Sequence, residues 1–137
     1  MVAIKRENAW FNSPVLDEKE ALLASYRANH TQGKRAVGGK LFLTNRRLVF
    51  VPNRIDAKTG GQIWEASADA VQAVGRDGPH FNVLEIFSGA LRSRLVVSTT
   101  SGGSEFFLVN GLDRVEAEVR DYIQKRKAEH LLSPRGQ

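Results

Sequence analysis

The residues best able to do chemistry are bases. Between Lys34 and Lys58 stand Lys34, Arg35, Lys40, Arg46, Arg47, Arg54 and Lys58, against one acid, Asp56. That window carries +6 where the whole chain carries +5, so the remainder is close to neutral. Clustered cations attract the phosphates of lipid or nucleic acid. The plainer alternative is a solvated face on a slightly basic protein. Two of the bases, Arg46 and Arg47, are adjacent and sit between the apolar runs Leu41-Phe42-Leu43 and Leu48-Val49-Phe50-Val51. They are either a ligand clamp or what a tight turn leaves at the surface.

Other chemistry is harder to assemble. With no cysteine, the chain offers no disulfide, no thiolate metal site and no sulfur nucleophile. His30, His80 and His130 are scattered, without partners at metal-ligand spacing. No GxSxG elbow and no HExxH pattern occurs. The stretch from Gly33 to Lys40, GKRAVGGK, approaches a phosphate loop but fails it. Its lysine comes one place late, Leu41 stands where Ser or Thr is needed, and a strand follows instead of a helix. Neither an enzyme nor a bound cofactor or metal is expected. A nucleic-acid platform would need exposed aromatics among bases, and Phe42 beside Lys40 and Arg47 is a thin version of one. Nucleic acid is therefore a minor alternative.

The elements that would position these residues are mostly strands. Thr44-Asn45-Arg46-Arg47 reads as a two-residue hairpin turn centred on Asn45-Arg46, because Asn tolerates the backbone such turns demand. Leu43 then faces Leu48, Phe42 faces Val49 and Leu41 faces Phe50. One face carries Leu41, Leu43, Leu48 and Phe50 and must be core. The other carries Lys40, Phe42, Thr44, Arg47, Val49 and Val51, and is expected to be partly wet. In this register the turn arginines do local work, with Arg47 bonding nearby carbonyls or a carboxylate.

Around this hairpin, residues 20–28 alternate like a strand, and 29–35 read as a loop. Residues 52–61 read as a long loop closed by two glycines, and 61–67 as another strand. A helical turn is expected near Ser67, a turn at 76–79, and strands at 82–87, 91–100 and 104–109. The pattern then changes period. Asn110 is a candidate N-cap, and Leu112, Val115, Val119, Tyr122 and Ile123 share one helical face. The helix is expected over about 111–129, with residues 130–137 a fraying tail. Residues 1–19 form a peripheral segment whose Trp10-Phe11 pair either docks on the domain or serves as an interaction hook. The fold class is mainly β: about seven antiparallel strands curled into a barrel or sandwich and capped by one C-terminal helix. The N-terminus lacks the apolar stretch of a secretory signal, and no run approaches the roughly 18 residues of a membrane span. A cytoplasmic chain, peripheral to the membrane at most, is the expectation.

The run from Gly39 to Phe50, GKLFLTNRRLVF, resembles the signature of GRAM domains, members of the pleckstrin-homology-like superfold. The likeness extends over roughly Glu20 to Val109, with the following helix completing that plan. It implies a non-catalytic binding module. Relatives in the superfold bind phosphoinositide headgroups, bind peptides or dimerise, and fold alone does not choose among these. Where lipid is bound, phosphate contacts come from the first and third loops at one end, which here offer Lys34, Arg35, Arg54 and Lys58. The basic pair spaced across the first hairpin in lipid-binding members is poorly matched. A protein partner is the first expectation, and an anionic phospholipid or phosphoinositide surface the second.

Overall fold

The structure, a computed structural model, describes residues 3–77 and 93–132. A small hairpin comes first, β1 (Ile4–Arg6) and β2 (Asn12–Pro14). The main sheet follows with β3 (Leu22–Gln32), β4 (Arg35–Thr44) and β5 (Arg47–Pro52). A short helix α1 (Arg54–Lys58) leads to β6 (Trp64–Ser67) and a 3₁₀ turn over Ala68–Ala70. Then come β7 (Val71–Asp77), β8 (Arg94–Thr99), β9 (Ser104–Val109) and the long helix α2 (Leu112–Leu132).

The seven strands run antiparallel in the order β6-β5-β4-β3-β9-β8-β7. Strand β3 belongs to both halves. It pairs with β4 along its length, and at Ala28, Asn29 and His30 also with Val109, Leu108 and Phe107 of β9. The sheet thereby curls around one core, and among the described residues it does not close, with β6 and β7 as its edges. This is the mainly β, helix-capped architecture that the strand pattern implied.

The core fills the concave side with Val37, Leu41, Leu48, Phe50, Leu95, Val97 and Phe107, all fully buried. From α2 come Val115, Val119, Tyr122 and Ile123, the stripe read from the sequence. Each such side chain contributes about 1.5–3 kcal/mol on burial, which holds the helix across the sheet. The residue before the helix is Gly111, whose carbonyl accepts the Val115 N–H at 3.0 Å, so Gly111 and not Asn110 stands at the N-cap. The helix also runs past Glu129 to Leu132.

The β4–β5 register is the one expected, with Leu43 opposite Leu48, Phe42 opposite Val49 and Leu41 opposite Phe50. Its second face is not wet, however. Phe42, Val49 and Val51 are fully buried in a separate cluster on the outer side of the sheet. Strand β2 packs on β4 and β5 there, which makes the N-terminal segment a second layer.

Three boundaries also differ from expectation. Asn29 to Gln32 continue β3, and the connection shrinks to Gly33-Lys34, with Gly33 at φ +63°. The 52–61 stretch contains α1, capped by Asn53, whose Oδ1 accepts the Asp56 N–H at 2.7 Å. Residues 71–77 are strand, so Arg76 and Asp77 are not yet turn. The strand expected at 82–87, and residues 78–79 of the expected turn, lie outside the described residues.

Candidate binding surface

The first and third loops meet at one end, as expected, but their four bases do not act together. Arg35 turns inward. Its guanidinium donates to Asp56 Oδ1 at 3.0 Å, to Thr59 Oγ1 at 2.6 Å and to the Thr59 carbonyl. Burial pushes the Asp56 carboxyl up, but the Gly38 N–H, Arg35 and Asn53 outweigh it and hold the group below its ordinary value. Arg54 is also committed, donating Nη1 to the Ala9 carbonyl at 3.0 Å and its backbone N–H to the Trp10 carbonyl at 2.9 Å. Lys34 and Lys58 are exposed and have no partner among the described residues. Two of the four bases therefore fasten the loops, and two stand free.

The aromatic pair at 10 and 11 is split. Phe11 docks between two cations, with the Arg27 guanidinium carbon 5.1 Å and the Lys40 ammonium 4.8 Å from its ring centroid. Lys40 is neutralised by Glu7. Trp10 stays 60% exposed although its backbone is held firmly. Asn8 Oδ1 accepts its N–H at 2.8 Å, and Arg54 occupies its carbonyl. The residue after Arg54 is Ile55, itself 55% exposed, so Trp10 and Ile55 mark one corner of the molecule beside α1.

Next to that corner lies a trough of about 350 Å³ on the outer face of the sheet. Phe11 and Asn53 wall it on one side, Leu108 and Asn110 on the other, with Arg27 and Asn29 of β3 rising beside it. Its floor is bare backbone because β4 carries Gly38 and Gly39 there. The Gly39 position admits nothing larger, since a Cβ would lie 2.2 Å from the Val51 carbonyl oxygen.

The conspicuous turn sits at the opposite end of the hairpin and is consumed by structure. Thr44 Oγ1 accepts the N–H groups of Arg46 and Arg47 at 3.1 and 3.0 Å, and donates to Glu20 Oε2 at 2.6 Å. Arg47 grips the same carboxylate twice, Nε to Oε2 at 2.8 Å and Nη2 to Oε1 at 3.0 Å. The Glu20 side chain is fully buried. Its bond from Arg47 draws the carboxyl down to about 2, burial opposes, and Thr44 and the Asp17 N–H add to the lowering. Asn45 ties the turn back to Ala21 and Lys19. Arg46 projects into solvent. Arg47 therefore bonds both a carboxylate and the Val15 carbonyl, as its position implied.

Two further features were not anticipated. His30, read as a loop residue, is a core residue stacked on Phe107 at 4.6 Å and bonded to Glu105 at 2.6 Å. The aromatic platform considered for nucleic acid is absent at Phe42, which is fully buried, while Lys40 and Arg47 are ion-paired. Among the described residues no cluster of His, Asp or Glu has metal-binding geometry, and no helix is long and apolar enough to cross a membrane. Among residues missed earlier, Asn53 had a legible signal, a capping amide three residues before Asp56. Arg27 and Asn29 had none, because only the docking of the N-terminal layer brings Phe11 to their face of the sheet.

No family model matches the sequence, and no curated protein matches it. The fold does have a solved counterpart, the crystal structure of the C-terminal domain of an unknown protein from Leishmania infantum. The two share 15% identity and a TM-score of 0.60, over 78% of this chain and 87% of that one. At this identity the likeness is one of fold alone.

Proposed function

We propose that the chain is a non-catalytic binding module of the GRAM type, and that it engages a protein partner at the Trp10–Ile55 corner. The observation that carries this reading is an exposed tryptophan on a fixed backbone. Exposed aromatics held rigidly are the anchors around which protein interfaces concentrate their energy, because little freedom is left to lose on binding. The fate of the loop bases points the same way, since Arg35 and Arg54 already serve the fold. The test is affinity capture from native cell extract with wild type, Trp10→Ala and Ile55→Asp, each checked for an unchanged melting temperature. A partner retained by wild type and lost by both variants supports the proposal. Equal recovery by all three overturns it.

A second reading rests on Lys34 and Lys58, free at the same end as Trp10. Together they supply about 2 kcal/mol of attraction to an anionic leaflet, with Trp10 suited to its interface. Sedimentation with phosphatidylserine vesicles at low and high salt tests it. Lys34→Glu with Lys58→Glu must abolish a salt-sensitive association; equal sedimentation of wild type and variant removes the lipid reading.

A further inference from the structure

We infer that the trough beside Phe11 is a docking groove for an acidic peptide segment, with Arg27 receiving a carboxylate side chain. The inference deepens the partner-binding reading and rests on it for the biological source of the peptide. Its physical basis is separate.

Arg27 is exposed on β3 and has no carboxylate partner among the described residues. Its guanidinium is packed against Phe11, which leaves the planar fork oriented but electrically unsatisfied. A guanidinium of this kind fits a carboxylate through two parallel N–H···O bonds. Asn29 lies two residues along on the same face and makes no side-chain hydrogen bond among the described residues. A free carboxamide both donates and accepts, which suits the alternating N–H and C=O groups of a peptide backbone.

The remaining lining sharpens the choice. No Asp or Glu lines the trough itself, and the carboxylate nearest its floor, Asp56, which accepts the Gly38 N–H at 2.9 Å, is balanced by Arg35 at 3.0 Å. The other cation at Phe11, Lys40, is already balanced by Glu7. One unbalanced positive charge matches one carboxylate, whereas a phosphate dianion would lack its second cation. The glycine floor lets an extended backbone lie close to the sheet. The trough also opens beside the Trp10–Ile55 corner, so a partner anchored there can continue into it.

The experiment uses the full chain and an N-acetylated heptapeptide of alternating glycine and glutamate, fluorescein-labelled for polarisation. The matched glycine–glutamine peptide is the neutral control, and phosphatidylserine vesicles are the lipid arm. Binding of the glutamate peptide should shift the amide resonances of Gly38 and Gly39 and the side-chain amide of Asn29. Arg27→Gln should weaken it at least tenfold, and Asn29→Ala should weaken it measurably, both with unchanged melting. The proposal is overturned by equal binding of the two peptides, by wild-type affinity in Arg27→Gln, or by shifts that avoid Gly38 and Gly39. It is equally overturned if vesicles, and not the peptide, perturb those resonances. Trp10→Ala separates the two readings. If it abolishes partner capture while no acidic peptide binds, the groove falls and the corner stands. If the peptide binds through Arg27 while Trp10→Ala captures normally, the corner falls and the groove stands.

Discussion

Replacing Glu20 by Gln removes the charge from a buried carboxylate while keeping its shape. The native carboxyl titrates near 2, against an ordinary value of 4.5. At 1.36 kcal/mol per unit, that difference corresponds to about 3 kcal/mol of stability at neutral pH. A second route gives a similar size: breaking one side of a buried ion pair costs about 3–5 kcal/mol, because the remaining charge is left unpaired. For a chain of 137 residues, about 3 kcal/mol lowers the melting temperature by roughly 10 °C. The pH profile is the more searching measurement. A depressed carboxyl stabilises the fold fully above its unfolded value and loses that contribution as pH falls through the folded one. Wild type and Glu20→Gln should therefore differ by about 3 kcal/mol in urea unfolding at pH 7, and converge between pH 4.5 and about 2. A gap below about 1 kcal/mol at pH 7, or one that persists unchanged into acid, would refute the reasoning. A double-mutant cycle with Arg47→Met should show strong coupling, since two hydrogen bonds join the two groups.

Other outcomes follow from the same geometry. Phe42→Ala should cost about 3–5 kcal/mol in denaturant unfolding, as large as a central core deletion, because the N-terminal layer seals it. A cost under 1 kcal/mol would mean that the face is open in solution. Gly39→Ala should destabilise by about 1–3 kcal/mol or prevent folding, since its new Cβ meets the backbone of β5. His30 is held below its ordinary value by burial, against the pull of Glu105. Stability should thus decline as pH falls below 6.5, and His30→Leu should flatten that slope in pH-resolved thermal melts.

How much of this was legible depended on whether polarity tracked burial. The β4–β5 hairpin was readable to the residue pair, because both strands alternate strongly and Asn45 marks the turn. The stripe of α2 was readable for the same reason at period 3.6. The second half of β3 was not, because Asn29, His30, Thr31 and Gln32 carry loop chemistry. His30 is buried there only because Phe107 and Glu105 arrive from β9, some 75 residues away. Strand β7 was hidden by Gly75 and by small residues with a weak period. The burial of Phe42 was invisible locally, since the layer that covers it comes from another part of the chain. The first and third loops were placed at one end, but sequence cannot reveal that Asp56 and Thr59 engage Arg35. The trough joins residues from five separate stretches, and no local pattern could have gathered them.

Among the described residues β7 is an edge, and this bears on how copies of this chain behave at high concentration. An edge strand normally offers unpaired carbonyls on which a foreign strand can grow. Along β7 the carbonyls of Gln72 and Val74 accept bonds from Lys127 and Arg120 of α2. The helix thus plugs the open side of the core and also blunts the sheet as a template for sheet growth. Among the described residues, the other edge of the main sheet is β6, which is four residues long. Charge removal at Arg120 and Lys127 would therefore surface first as fibrous self-association during storage, with little change in the folded monomer.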